Sequence, residues 1–330
     1  SLGLVGSEMC IRDRFNGLLA YVWPAMVKMK TRDEKYQKIR EKYFTAEQGR
    51  EYLRELSIDE LPGLTTPETT AVMLALSFEM GMPIHFVAPA FGFQKNIPYP
   101  DNDQLRAMIT PIWNICEKFG VSIGFHSGSG KSAENYQVAG DVTRSNLEIK
   151  TSGRYTYEMG VALYNSTDSY DQELWRDWYN FTVELASNGC FAEDLTERKM
   201  AREFVSLTVD DESAQKAFIS IEDCRSVLRS LEPSPDHFFW FEYNFLYVLA
   251  AAGASDKKAL GDHSAEGYKQ RQRFYSISEE GRLLYVKRVA EYILFLATNA
   301  SLVDSKVCEN AKAELALLNS YSNFIDSITS

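Results

Sequence analysis

Closely spaced cysteines are missing from this chain. Its five cysteines (Cys10, Cys116, Cys190, Cys224 and Cys308) are scattered through 330 residues. That excludes a disulfide-stapled framework and a cysteine-based metal ribbon, and makes a reducing cytoplasm the expected location. Basic charge is also in deficit: 35 Lys and Arg stand against 46 Asp and Glu, for a net charge of −11. Such an acidic balance is a poor match for nucleic acid. Long apolar runs are absent as well. The most apolar stretch, His237 to Ala252, is too short to span a bilayer and carries His237, Glu242 and Asn244, so it reads as a buried helix with no membrane partner. There is no internal repeat and no low-complexity tract. No basic region precedes an apolar run at the start, so a signal peptide is not expected.

The first fourteen residues carry a different signature. Leu4 to Arg14, LVGSEMCIRDR, reads as one frame of a translated sequencing-library adaptor. The natural sequence is therefore expected to begin near Phe15 and to lack its N-terminal part. Beyond residues 1–14, two regions are expected: 15–165 as a partial β/α catalytic region and 166–330 as a mainly helical region, serving as a cap or an oligomer surface.

What is present in the first region is a rhythm of short strands and helices. YLRELSIDE (52–60) alternates like a strand. Thr66-Pro67-Glu68 supplies an N-cap and a first-turn proline for a helix that stops at Gly81. PIHFVA (83–88) is a second strand, and Asn102 to Phe119 a helix closed by Gly120. Val121 to His126 and Leu147 to Lys150 are further strands, the last followed by a helix from Tyr155 to Tyr164. Strands near 57, 86, 123 and 148 with helices between them predict an α/β fold with parallel strands, either part of a (β/α) barrel or an open sheet. After Tyr164 only helices are expected, over 171–187, 196–204, 214–230, 237–252, 278–300 and 305–328, with 255–272 as a polar connection.

The polar side chains collect at the carboxyl ends of these strands, where α/β enzymes place their chemistry. Glu55, Asp59 and Glu60 lie on and after the first strand, and alternation puts Glu55 on the same face as Ser57 and Asp59. A half-buried carboxylate there suits acid–base work. His126 opens the turn HSGSGKS (126–132), where an imidazole can ligate a metal or exchange protons. That turn is not a phosphate-binding Walker loop, because the required glycine would fall at 125, which is Phe. His85, inside an apolar strand, reads as a satisfied core residue. Lys95, Lys131, Lys150 and Arg154 set cations at successive strand ends of an acidic protein, which argues for an anionic small-molecule substrate.

Several of these stretches occur in one order and spacing: Glu55-x-Ser57-x-Asp59-Glu60, Phe93-Gln94-Lys95 with Tyr99, His126-Ser127-Gly128-Ser129 with Lys131, Lys150-Thr151-x-Gly153, and Tyr157-Glu158. Together they resemble the tagaturonate/fructuronate epimerases of bacterial hexuronate catabolism over about Glu55 to Leu163. The resemblance implies a TIM-barrel-like catalytic half, a divalent metal cofactor of open identity and a sugar-acid substrate. Glu55 then corresponds to the proton donor and His126 to a metal ligand. Gln94, Lys95, Ser127, Ser129, Lys131, Lys150, Thr151 and Arg154 become substrate-binding candidates. The family's proton acceptor and another histidine ligand lie upstream of this sequence, so the chain alone is expected to be inactive, and Gln94 stands where relatives carry Glu. The alternatives are another metal-dependent sugar isomerase or aldolase on the same scaffold, and a sugar-acid-binding protein without turnover.

Overall fold

The computed structural model describes residues 2–94, 97–151, 153–249 and 265–329. The chain divides into two compact units. One holds Ser1–Ser152 with Phe295–Ser305, the other Gly153–Leu294 with Lys306–Ser330. The boundary therefore falls just after the last strand.

In the first unit, α1 (Leu2–Tyr43) and the short α2 (Glu47–Arg50) precede β1 (Glu55–Ser57). There follow α3 (Pro67–Glu79), β2 (Phe86–Ala88), α4 (Asn102–Phe119), β3 (Ser122–Phe125), α5 (Ala133–Thr143) and β4 (Leu147–Ile149). The apolar run 15–29 and the charged run 31–43 lie on one continuous helix, α1. Local caps set most of the other boundaries. Thr66 Oγ1 accepts a hydrogen bond from Thr69 N at 3.2 Å to open α3. Asp101 caps α4, and Gly120 ends it in the left-handed region, at φ 66°, where a side chain would be strained. A capping box between Ser132 and Asn135 opens α5.

The four strands are all parallel and run in sequence order, β1-β2-β3-β4, with no switch point. Leu56, Val87 and Ile123 lie in one row across the sheet and point into a core shared with Leu74, Ile109 and Trp113 of the helices. Each fully buried aliphatic chain of this kind contributes about 2 kcal/mol. The helices pack as successive neighbours, α1 on α3, α3 on α4 and α4 on α5. Val22 and Met26 of α1 are buried in the same core.

The second unit is helical throughout its described residues. It holds α6 (Arg154–Asn165), α7 (Ser169–Gly189), α8 (Leu195–Ser206), α9 (Asp211–Ala217), α10 (Ile221–Arg229), α11 (Phe238–Leu249), α12 (Ala265–Tyr275) and most of α13 (Glu279–Asn299). It ends with α14 (Ser305–Leu317) and α15 (Tyr321–Thr329). Trp175, Trp178 and Trp240 meet edge to face at its centre, with centroids 4.9 and 5.6 Å apart. Two expected helices are each divided. Residues 214–230 break before α10 because Ser220 turns to an extended backbone and caps Asp223 N at 3.1 Å. Residues 305–328 break at Ser320, whose Oγ accepts from Asn323 N. The expected polar connection 255–272 is helical from Ala265 onward, and its earlier part lies outside the described residues. Among the described residues no helix is long and apolar enough to cross a membrane.

Candidate active site

The sheet face turned away from the helices is built by alternation. In β1, Leu56 is buried while Glu55 and Ser57 point to the other side. Register carries that side across the sheet: Ser57 pairs with Ala88, and Gly124 pairs with Glu148. His126 follows β3 by one residue and falls on the same face as Gly124. The middle of this surface is made of small residues, which leaves room above it. A Cβ at Gly124 would stand 2.9 Å from Glu148 Oε1 and 3.3 Å from Ala88 Cβ.

Into that room reach Glu55, His126 and Glu148, one ligating atom of each lying within 4.8 Å of the others. Glu55 and Glu148 stand on the outermost strands, yet a carboxylate oxygen of each lies within 4.8 Å of the other. Ser57 Oγ donates to Glu55 Oε1 at 2.5 Å. His126 Nδ1 lies 2.8 Å from Asp59 Oδ2. His126 Nε2 lies 3.0 Å from Glu55 Oε1 but without hydrogen-bond geometry, and it is buried with no hydrogen-bond partner. Asp59 Oδ1 is buried and unsatisfied in the same way.

The electrostatics follow from crowding. Burial, then the hydrogen bond and negative charge of Glu55, push the Glu148 carboxyl up to about 7, against the opposing charges of His126 and Lys150. Burial acts upward on Glu55 too, but the hydrogen bonds from Glu148 and Ser57 and the charge of His126 hold it below the usual carboxylate range.

These residues fit a divalent cation. Two carboxylates and an imidazole are the mixed oxygen and nitrogen donor set of such sites. The unsatisfied Nε2, facing carboxylate oxygens across a space cleared by Gly124, is the arrangement a bound cation would complete. Glu55, His126 and Glu148 would hold it, and the Asp59 contact to Nδ1 matches the outer carboxylate that commonly orients a ligating histidine.

Of the residues singled out in the sequence, the structure brings Glu55 and His126 together, with Lys150 close enough for its charge to act on Glu148. Lys131 is buried, and its ammonium is taken up by backbone carbonyls: that of Gln94, that of Ile97 at 2.8 Å and that of Ser129 at 3.4 Å. It also lies 5.1 Å from the centroid of the Phe93 ring. The Gln94 side chain is exposed, and Lys95 lies outside the described residues. Ser127 is half-buried with φ 53°, and Thr151 is half-buried. Ser129 is fully buried, its hydroxyl without a hydrogen-bond partner. Arg154 belongs to the second unit, where it pairs with the buried Glu158 and stacks on Tyr157 and Tyr292. His85 is satisfied, its Nδ1 accepting from Arg54 N at 3.0 Å.

Glu148 is the member of this cluster that sequence reasoning missed. Its signal was present, since alternation in the strand 147–150 places Glu148 between two apolar neighbours and on the face opposite to theirs. A single acidic residue in so short a strand did not stand out.

Fold and site together place two carboxylates and an imidazole within 4.8 Å of one another on a parallel α/β sheet. The chain belongs to the tagaturonate epimerase family: the family model described as "UxaE: tagaturonate epimerase" matches residues 32–219. No curated protein matches the chain. Among solved structures it is similar to the fructuronate-tagaturonate epimerase UxaE from Cohnella laeviribosi. The one-glycerol complex shows 18% identity and a TM-score of 0.46, over 80% of this chain and 49% of that one. The two-glycerol complex shows 17% identity and a TM-score of 0.46, over 92% and 51%. The native crystal structure shows 18% identity and a TM-score of 0.43, over 85% and 49%. The chain thus spans about half the length of the solved structures it matches.

Proposed function

We propose that this chain carries the proton-transfer and metal-holding part of a cytoplasmic epimerase that interconverts tagaturonate and fructuronate, its four strands forming an arc of a (β/α) barrel. The observation that carries the reading is the buried, unsatisfied Nε2 of His126 facing Glu55 and Glu148; family membership supplies the substrate class. A bound divalent cation would act as a Lewis acid on developing oxyanion charge.

This chain's residues handle the proton and the substrate. The carbon to be inverted is not adjacent to the ketone, so enolisation does not reach its C–H bond. Removing the proton from its hydroxyl lets the neighbouring carbon–carbon bond open and reclose on the other face. Glu55, in the role its resemblance implies, returns a proton to the substrate oxygen. Lys150, the exposed cation whose charge already reaches Glu148, pairs with the substrate carboxylate.

The test is turnover of tagaturonate by the full-length protein, followed by NMR of the product. Glu55→Gln, assayed at saturating divalent cation, should lower turnover by about 10²–10⁴-fold, the range for loss of a general acid. A Glu55→Gln enzyme as active as wild type would remove Glu55 from the reaction.

A further inference from the structure

The imidazole of His126 is gripped on one side and open on the other. Its side chain is only 9% exposed, with Nδ1 2.8 Å from Asp59 Oδ2 and Nε2 left without a hydrogen bond. An ionised carboxylate only accepts, so the hydrogen in the Asp59 contact belongs to Nδ1. In the neutral ring that leaves Nε2 with its lone pair, the reverse of the tautomer a free histidine prefers in water. A lone pair 3.0 Å from a carboxylate oxygen is repulsive unless a proton or cation stands between them. Asp59 lies two residues beyond β1, where Ile58 N donates to Ala88 O at 3.0 Å, so the contact is anchored on the backbone.

We infer that Asp59 is a positioning residue that fixes His126 as the Nδ1–H tautomer and turns the Nε2 lone pair toward Glu55 and Glu148. The step from tautomer to cation rests on the metal reading above; the tautomer itself does not.

The experiment uses the chain with ¹⁵N-labelled histidine, freed of metal by a chelator and held at alkaline pH where the ring is neutral. Long-range ¹H–¹⁵N correlation then reads the protonation of each ring nitrogen, with His126→Gln assigning the signals. The expected result is a protonated Nδ1 and an unprotonated Nε2 at His126, changing toward Nε2–H in Asp59→Ala. Asp59→Asn, whose amide oxygen can still accept, should keep part of the Nδ1–H form. An Nε2–H signature at His126 in wild type overturns the inference, and so does an unchanged tautomer in folded Asp59→Ala. Cobalt(II) is then titrated into wild type and Asp59→Asn. A loss of affinity of about 10–100-fold supports the positioning role, as for other outer-sphere carboxylates, and equal affinity overturns it. If wild type shows the Nδ1–H tautomer yet takes up no cobalt, the metal reading fails while the assignment of Asp59 stands.

Discussion

Glu55 and Glu148 stand on the two outermost strands of a four-stranded sheet, and a carboxylate oxygen of each nonetheless lies within 4.8 Å of the other across its polar face. The space that lets them meet comes from the small residues of the inner strands. Converting Gly124 to Ala would place a Cβ 2.9 Å from Glu148 Oε1. That oxygen is the far end of a flexible chain, so it should give way while the fold survives. Gly124→Ala is expected to change unfolding free energy by no more than about 1 kcal/mol while weakening cobalt(II) binding about 10-fold or more. Denaturant unfolding and a metal titration on the same sample check both parts.

Lys131 should leave a mark on the pH dependence of stability. Burial pushes its ammonium down to about 8, whereas in the unfolded chain it titrates near 10.4. Between those values the unfolded state binds more protons than the folded one, so the contribution of Lys131 to stability rises with pH. Below about 8 the ammonium is charged in both states and its burial costs stability in full. Relative to Lys131→Met, wild type should therefore gain on the order of 1 kcal/mol between pH 7.5 and 9.5. Urea unfolding of both proteins at the two pH values measures it, and a difference that shrinks with rising pH would contradict it.

In the second unit, Glu158 is 2% exposed at its side chain and receives Arg154 Nη2 at 2.6 Å and Arg288 Nε at 2.5 Å. Removing the carboxylate leaves two guanidinium groups facing each other in a largely buried site. Glu158→Ala is expected to cost about 3–5 kcal/mol of stability, as for other broken buried ion pairs. Thermal and denaturant melts report it, and a loss below about 1 kcal/mol would show that water replaces the carboxylate there.

The sequence makes legible whatever is locally encoded. Asn102 to Phe119 is bounded correctly because Asp101 and Gly120 cap its ends within a few residues. The face shared by Glu55 and Ser57 follows from period-two alternation alone. The contacts that define the site do not arise locally: His126 meets Asp59 from 67 residues away, and Glu148 approaches Glu55 only because all four strands assemble into one sheet. The charge on Lys131 was legible, but its capture by the carbonyls of 94, 97 and 129 was not, since loop geometry decides it.

The central claim is that Glu55, His126 and Glu148 form one cation site. Titrating cobalt(II) into the chain and following its visible absorption tests this most directly, because the bands report the nitrogen and oxygen donors around the ion. Wild type should show a single saturable site, and His126→Ala and Glu148→Gln should each weaken it at least about 10-fold while remaining folded by circular dichroism. Saturable binding of equal strength in all three proteins, or none in wild type, would contradict the account.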